Sequence, residues 1–158
     1  MNQLNKERLI KLDFNNENQL RLIEEFEKEN NESNRISEYK PTQDENKLEE
    51  ILFLEENDRV KDVCLIEGEK DIKMGRIYFS NLKNQLKNRS LINISINYCL
   101  NVLGLETVLI PVSKDDLYLF GLLDGKDYEY LGVEGEEHLF LKDKENKQEE
   151  RLDVQRAI

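Results

Sequence analysis

Three apolar segments follow one another in the middle of the chain, and their close succession limits the fold more than any other feature. They occupy residues 51–54, 60–67 and 72–80, and each is rich in the β-branched and aromatic residues that favour strands. The polar turns between them are short, and connections of this kind join antiparallel neighbours. The sequence therefore predicts an antiparallel three-stranded meander.

The segment that follows Ser90 supports two interpretations. Its isoleucines alternate with polar residues, as they would in a strand. The apolar residues from Ile92 to Leu103 also fall on one face of a helix, with Ser90 placed to cap its start and Gly104 placed to end it. These two end signals favour the helix. A helix between the meander and the apolar segment 107–112 is a crossover connection, and the predicted sheet is therefore mixed.

The patterns along the whole chain predict one α+β domain with the element order β-α-α-β-β-β-α-β-α-β-β. Residues 1–142 form this domain, and residues 143–158 form a charged tail with room for a short helix. The remaining predicted elements are strands at 8–14, 128–133 and 138–141, a helix with Leu20, Ile23 and Phe26 on one face, a short helix at 44–48, and a helix at 114–123.

The charge balance excludes one class of function. Lys and Arg total 23 and Asp and Glu total 34, so the formal net charge is −11 over 158 residues. A surface that coats nucleic acid needs a basic footprint, and nucleic acid is therefore not an expected partner. No apolar run is long enough to cross a membrane, and the first residues lack the apolar stretch of a signal peptide.

Two cysteines, Cys64 and Cys99, and one histidine, His138, limit the redox and metal chemistry. Two isolated cysteines fit a reducing cytoplasm and two small buried thiols better than a disulfide or a redox pair. A histidine-based zinc site needs more than one histidine, so no metal is predicted. We therefore expect a cytoplasmic protein without a metal centre.

The negative charge of the chain is interrupted once. Residues 72–105 contain no acid and carry five bases, namely Lys73, Arg76, Lys83, Lys87 and Arg89. Such a stretch is either a solvated basic face or a pocket for an anionic ligand. Its densest part, residues 81–90, lies between a predicted strand and a predicted helix N-terminus, where backbone N–H groups and the helix dipole attract phosphate. This position favours the anion pocket.

The segment Gln85-Leu86-Lys87-Asn88-Arg89-Ser90 resembles the pyrophosphate loop of the GNAT superfamily, the acetyl-CoA-dependent N-acetyltransferases. The family loop has the form Gln/Arg-x-x-Gly-x-Gly/Ala. Gln85 matches its first position, Asn88 replaces the first glycine, and Ser90 replaces the second small residue. Asparagine is one of the few residues that tolerate a positive φ, so Asn88 is a physically suitable substitute.

A second region resembles the same family. GNAT chains often run from the fifth strand into a Val-x-x-x-Asn segment and a helix, and a Gly-Phe pair then opens the sixth strand. Here Val112 begins the segment, Asp116 stands at the asparagine, and Asp127-Tyr128 stands at the Gly-Phe pair. Together with the element order, the resemblance covers about residues 8–142.

The resemblance implies a site for acetyl-CoA as a substrate. The fourth and fifth strands of a GNAT domain splay apart, and the pantetheine arm lies between them. Pro111 lies in the predicted fifth strand at this level, where it either marks an unpaired edge or simply ends the strand. The residues that the resemblance assigns to acetyl-CoA are Phe79, Ser80, Asn81, Gln85, Leu86, Lys87, Asn88, Arg89, Ser90 and Asp116.

The catalytic residues are not assigned by the sequence. Many GNAT enzymes protonate the leaving thiolate with a tyrosine, and the equivalent position here is Leu123, which has no proton to donate. The tyrosines at 118, 128 and 130 are out of frame. Glu67 and His138 lie on predicted strands as candidate bases, yet a surface carboxylate and a half-buried edge imidazole explain them better.

Two functions therefore stay open. The first is an N-acyltransferase in which an amine, on a small molecule or a protein, attacks the thioester of acetyl-CoA directly; positioning alone accelerates such a reaction. The acidic first 58 residues would suit a cationic acceptor. The second is a GNAT-fold CoA-binding or regulatory protein without turnover, a function motivated by Leu123, Asn88 and Asp116.

Overall fold

The computed structural model describes residues 7–30, 44–80, 89–125 and 127–144. Within these ranges the chain forms seven strands and three α-helices. In chain order they are β1 Arg8–Lys11, α1 Glu17–Asn30, β2 Lys47–Glu56, β3 Arg59–Glu69, β4 Met74–Phe79, α2 Arg89–Asn97 with a π-helical continuation Tyr98–Val102, β5 Thr107–Ser113, α3 Leu117–Leu123, β6 Glu129–Glu134 and β7 Glu137–Asp143. The predicted α+β fold is confirmed. The division into residues 1–142 and 143–158 stays a prediction, because residues 145–158 lie outside the described ranges.

One mixed sheet holds all of these strands in the order β1-β2-β3-β4-β5-β7-β6. Among the described pairs, β4 and β5 run parallel and the others run antiparallel. The parallel pair follows from the crossover through α2. α1 packs on one face of the sheet, and α2 and α3 pack on the other. No helix within the described ranges is long and apolar enough to cross a membrane.

The meander forms as predicted. β2 and β3 are joined by Asn57 and Asp58, whose φ angles are 54° and 59°. Two successive positive φ values are the conformation of a type I′ hairpin turn, and asparagine and aspartate tolerate it better than most residues. The local composition of this turn therefore determines where the hairpin reverses.

The predicted short helix at 44–48 is wrong. The carboxylate of Asp44 accepts the N–H of Asn46 at 2.9 Å in a turn, and β2 begins directly afterwards at Lys47. Lys47 lies opposite Glu69 and Leu48 opposite Gly68 in the pairing with β3. These partners are distant in the sequence, so the local pattern that favoured a helix did not include them.

The helix after β1 has the predicted start. Oδ1 of Asn16 accepts the N–H of Gln19 at 3.1 Å, which caps the N-terminus of α1. Ile23 and Phe26 of α1 are buried in one cluster with Phe53 of β2. The apolar spacing in α1 is therefore the spacing that packs it on the sheet.

The helical interpretation of the segment after Ser90 is also confirmed, with one change. α2 begins at Arg89, so Ser90 lies in the first turn, and its predicted role as the N-cap is wrong. Gly104 follows the π-helical continuation with a φ of 73°, which ends the helix as predicted. Cys99 in this continuation and Cys64 on β3 are both free and buried, as the sequence predicts.

Candidate functional site

β4 and β5 are paired at one end and separate at the other. Residues 74–76 pair with residues 107–109, and the pairing ends at Arg76 and Leu109. Beyond this point β4 continues to Phe79 along β3, and β5 continues to Ser113 along β7. The two strands thus leave between them a gap, which is the divergence that the sequence resemblance implies.

The ladder shows which backbone groups are directed into the gap. The N–H of Thr107 donates to the carbonyl of Lys73 at 3.3 Å, and the N–H of Ser80 donates to the carbonyl of Val63 on β3 at 3.4 Å. Backbone groups alternate in direction along a strand, so odd-numbered residues of β4 and β5 face each other. The N–H of Phe79 is therefore directed into the gap.

Pro111 lies on the β5 edge of the gap. It pairs with Leu139 of β7, and β5 continues beyond it to Ser113, so the interpretation that Pro111 ends the strand is wrong. Its backbone nitrogen belongs to the odd-numbered set that faces the gap. A missing N–H costs no ladder hydrogen bond there, as is usual for proline at an unpaired edge.

A pocket of about 520 Å³ lies over the paired segment of β4 and β5 and the adjacent ends of β2 and β3. Arg76 and Leu109, the last paired residues of the two strands, both line it. Glu67 of β3 lies directly opposite Arg76, and Glu49 of β2 lies directly opposite Glu67, so these residues form one row across the sheet. By the alternation of side chains along a strand, this row shares a face with the residues that pack against α1. The other lining residues of β4, Met74 and Gly75, lie within the paired segment, so the pocket lies on the α1 face and borders the closed end of the gap.

The charged side chains of the pocket are not equivalent. Nζ of Lys47 lies 2.6 Å from Oε1 of Glu69, and the hydrogen bond to this carboxylate raises the pKa of Lys47. Glu67 lies opposite Glu49 on one side and opposite Arg76 on the other. Two carboxylates that lie directly opposite each other on neighbouring strands repel and destabilise a sheet. A cation beside Glu67 offsets its repulsion by Glu49.

Two charged residues of this row, Glu67 and Arg76, are uncommitted, which means that they have no ion-pair or hydrogen-bond partner among the described residues. They occupy directly opposite positions on β3 and β4, yet neither makes an ion pair or a hydrogen bond within the part of the chain that the structure describes. The Arg76 side chain is exposed, and Glu67 is half-buried. One anionic and one cationic group are thus available to a ligand at the end of the gap.

Neither a family model nor a curated protein matches the chain in sequence, but solved structures match it in fold. The N-acetyltransferase PseH of Campylobacter jejuni, in complex with acetyl coenzyme A, is 16% identical with a TM-score of 0.63, over 88% of this chain and 99% of its own. PaiA N-acetyltransferase of Thermoplasma acidophilum, in complex with coenzyme A, is 10% identical with a TM-score of 0.63, over 88% and 99%. A mutant of spermidine N-acetyltransferase SpeG of Vibrio cholerae is 13% identical with a TM-score of 0.62, over 86% and 94%. This chain has the GNAT fold.

Five of the ten residues that the GNAT resemblance assigns to acetyl-CoA lie outside the described ranges, namely Asn81, Gln85, Leu86, Lys87 and Asn88. Of the others, Phe79 directs its N–H into the gap, and Arg89 and Ser90 form the exposed first turn of α2. That turn contains no acid, so no carboxylate of its own neutralises the positive end of the helix dipole. Contact between these residues and acetyl-CoA stays a prediction.

Ser80 ends β4 against a buried carboxylate. Its hydroxyl oxygen lies 3.0 Å from Oδ1 of Asp62 and 3.0 Å from the carbonyl oxygen of Val63. Asp62 is fully buried, and its Oδ1 also accepts the N–H of Val63 at 2.8 Å. Sequence reasoning missed Asp62, although an acid inside an apolar strand is a signal that a buried partner exists. The contact holds in place the end of β4 from which the predicted pyrophosphate loop starts.

The remaining GNAT positions lie on or near α3. Asp116 is its N-cap, and its carboxylate accepts the N–H of Leu119 at 3.1 Å. Leu123 is 1% exposed within the core that α2 and α3 form on the sheet. Burial, and then the neighbouring Asp127, raise the pKa of Tyr128, which makes its hydroxyl a weaker acid. Leu123 therefore supplies no proton donor at the position of the family's tyrosine.

The two candidate bases lie in different places. Nδ1 of His138 is 2.8 Å from the hydroxyl oxygen of Tyr130, and the imidazole packs on Phe120 with 4.6 Å between ring centroids. His138 belongs to β7, so β5 separates it from the gap. Glu67 lies in the pocket beside Arg76. Glu67 belongs to β3, so β4 separates it from the gap in the same way, and of the two it is the one that lines the pocket.

Proposed function

We propose that the protein is an N-acetyltransferase that transfers an acetyl group from acetyl-CoA to an amine. The observation that carries the proposal is the gap between β4 and β5, with the N–H of Phe79 directed into it. The GNAT fold supports it, since the three neighbours named above are N-acetyltransferases and two of them hold acetyl-CoA or CoA. We assign the reaction to the cytoplasm, on the ground that both cysteines are free.

The backbone along the gap suits an extended ligand that carries amide groups. By the alternation of the ladder, β4 offers the N–H of Phe79 and the carbonyl of Ile77, and β5 offers the carbonyl of Pro111. The pantetheine arm of CoA has the amide donors and acceptors that satisfy such groups. The acid-free stretch 72–105 favours the pyrophosphate at residues 85–90. Acetyl-CoA supplies the acetyl group as an activated thioester.

The N–H of Phe79 is the group that polarises the acetyl carbonyl in this proposal, as an oxyanion donor does. The acceptor nitrogen attacks the carbonyl carbon, so that the C–N bond forms and the C–S bond breaks. Leu123 has no proton to give, and the CoA thiolate therefore takes its proton from water. Alignment of the two reactants at the end of the gap provides most of the acceleration.

We assign to Glu67 the binding of the acceptor amine and the removal of its proton. The uncommitted carboxylate of Glu67 lines the pocket beside the last paired residue of β4. A carboxylate in this position attracts the ammonium form of an amine and takes the proton that the nitrogen loses. We assign no such role to His138, because it does not line this pocket and its Nδ1 contacts the hydroxyl of Tyr130.

The test has two stages, which separate binding from turnover. Calorimetric titration with acetyl-CoA measures binding, and release of the CoA thiol in the presence of a panel of amines measures transfer. We expect binding, and thiol release with at least one class of amine. Binding without release by any amine would instead favour a CoA-binding protein, and an absence of binding would overturn the CoA site altogether.

Reversal of charge at the predicted pyrophosphate loop should weaken the binding of acetyl-CoA. We expect Lys87→Glu and Arg89→Glu each to raise the Kd about tenfold at low salt, because each replaces an attraction to phosphate by a repulsion. Calorimetry at low and high ionic strength measures the effect. Arg21→Glu is the matched control, since Arg21 is exposed on α1. An equal loss in the control would point to net charge rather than to a site.

A further inference from the structure

The pocket beside the closed end of the gap presents two opposite charges that make no ion pair among the described residues. Lys47 and Glu69 neutralise each other through their 2.6 Å contact. Glu67 and Arg76 do not, although they are cross-strand partners on β3 and β4. Lys47 and Glu69, which also lie directly opposite each other on neighbouring strands, do close into such a pair. The open pair points to a ligand that provides both counter-charges.

The short distance between Glu67 and Arg76 limits how far apart the two charged groups of the ligand can be. The Cβ atoms of directly opposite residues in an antiparallel ladder are about 4.5–5.5 Å apart. Two charged groups that are separated by only a few bonds therefore reach both side chains at once. A guanidinium binds a carboxylate through two parallel hydrogen bonds, and a carboxylate accepts hydrogen bonds from an ammonium. Both charges of an amino acid are satisfied by this arrangement.

The positive charge of Arg76 also disfavours an acceptor that carries positive charge alone. Arg76 is the last paired residue of β4 and lines the pocket, so it lies where the pocket borders the closed end of the gap. A diamine or polyamine would bring positive charge close to this guanidinium, and like charges repel strongly at such short separations. The apolar side chains of Ile72, Met74 and Leu109 also line the pocket and suit a carbon side chain.

We propose that the acceptor is a dipolar amine of the amino-acid class, with its ammonium at Glu67 and its anionic group at Arg76. The proposal rests on the proposed function, and it adds the substrate class and a specificity-determining residue. Arg76 binds the anionic group and takes no part in the transfer itself. Its removal is expected to affect the KM for carboxylate-bearing acceptors more than the kcat.

The experiment compares acceptors that differ only in the anionic group. A panel of free L-amino acids is assayed beside the corresponding amino-acid amides and simple diamines, with thiol release as the readout. For the pairs that react, we expect the free acid to have a kcat/KM about tenfold above that of the amide. In Arg76→Gln this preference should fall to about twofold or less through a higher KM for the acid, while the amide is used at nearly the same rate.

Two further variants distinguish loss of the Arg76 contact from a general effect of removing a positive charge. Arg76→Lys retains the charge without the bidentate geometry and should retain part of the preference. Arg21→Gln removes one exposed arginine from α1 and should retain all of it. Thermal unfolding of each variant checks that the fold is intact.

The outcomes separate this proposal from the proposed function. Equal or better use of the amides or diamines, or an equal loss for both members of a pair in Arg76→Gln, would overturn the dipolar acceptor and leave the N-acetyltransferase in place. Binding of acetyl-CoA without transfer to any amine, or no binding at all, would overturn the N-acetyltransferase and this proposal with it.

Discussion

The two ends of β4 differ in what surrounds their backbone. At Met74–Arg76 the strand is hydrogen-bonded on both sides, between β3 and β5. At Phe79 it is paired with β3, and its pairing with β5 has already ended at Arg76. One short strand thus combines an end that is held between two neighbouring strands with an end that faces the gap. The comparison teaches that substitutions a few residues apart in β4 should have effects of different kinds.

The largest effect is expected at the end that faces the gap. Phe79→Pro removes the N–H that we assign to the acetyl carbonyl, and Phe79→Ala removes the same ring but keeps the N–H. Loss of one such donor lowers catalysis about 10²-fold or more. We therefore expect the kcat/KM of Phe79→Pro to be about 100-fold below that of Phe79→Ala, measured by thiol release.

The two Phe79 variants should be similar in stability. The N–H of an odd-numbered residue of β4 faces β5, so proline removes no hydrogen bond to β3. Equal kcat/KM values in the two variants would show that the Phe79 N–H takes no part in the reaction. If Phe79→Pro unfolds and Phe79→Ala does not, this N–H stabilises the sheet. The two ends of β4 would then not differ in the way that their pairing indicates.

The next effect is expected at the paired end, and the quantity it changes is stability. A Cβ added to Gly68 would lie 2.7 Å from the carbonyl oxygen of Met74 and 3.1 Å from Cα of Gly75, both backbone atoms of the adjacent strand. Backbone of a paired strand has little freedom to move. We expect Gly68→Ala to lower the free energy of unfolding by about 1–3 kcal/mol, as overpacking does.

Urea denaturation measures this change, with Gly121→Ala as the control. Nothing lies within 4 Å of a Cβ at Gly121 in α3, so alanine there should stabilise the protein by about 0.5–1 kcal/mol through its helix propensity. A neutral or stabilising Gly68→Ala would mean that β3 and β4 separate more easily than their register indicates.

The smallest effect is expected far from the gap, at the ion pair between β1 and β2. Nε of Arg8 donates to Glu55 at 2.8 Å, and this hydrogen bond lowers the pKa of the Glu55 carboxyl. A lowered pKa stabilises the fold above the ordinary carboxyl pKa, and the contribution is lost as the pH falls through the lowered value. Because Arg8 is largely exposed, the contribution is at most about 1 kcal/mol.

Arg8→Ala should therefore be less stable than the parent protein at pH 7 by up to about 1 kcal/mol, and nearly equal to it at about pH 3 or below. Urea denaturation at the two pH values measures the difference. Arg59→Ala removes a pair in which both side chains are exposed, Arg59–Glu29, and should change little at either pH. A difference that is the same at both pH values would attribute the effect of Arg8 to packing of its carbon chain.

Much of the fold was predictable because its signals are local. The hairpin at Asn57 and Asp58, the crossover helix that ends at Gly104 and the cap at Asn16 each depend on residues close together in the sequence. The predicted helix at 44–48 failed for the complementary reason, since Lys47 is extended by its pairing with Glu69. Within the site, the acid-free stretch and Phe79 were visible in the sequence, whereas the partnership of Asp62 with Ser80 was not.

The sequence by itself determined that this protein has a meander, a crossover helix and a basic segment between them, because periodicity, turn residues and charge act over short distances along the chain. The tertiary structure alone decided where the parallel pairing stops and which charges meet there. Glu67 and Arg76 are brought opposite each other by strand register, and Leu109 reaches them through the crossover. Register is set by the packing of the whole sheet, and for that reason no single segment could have revealed this pocket.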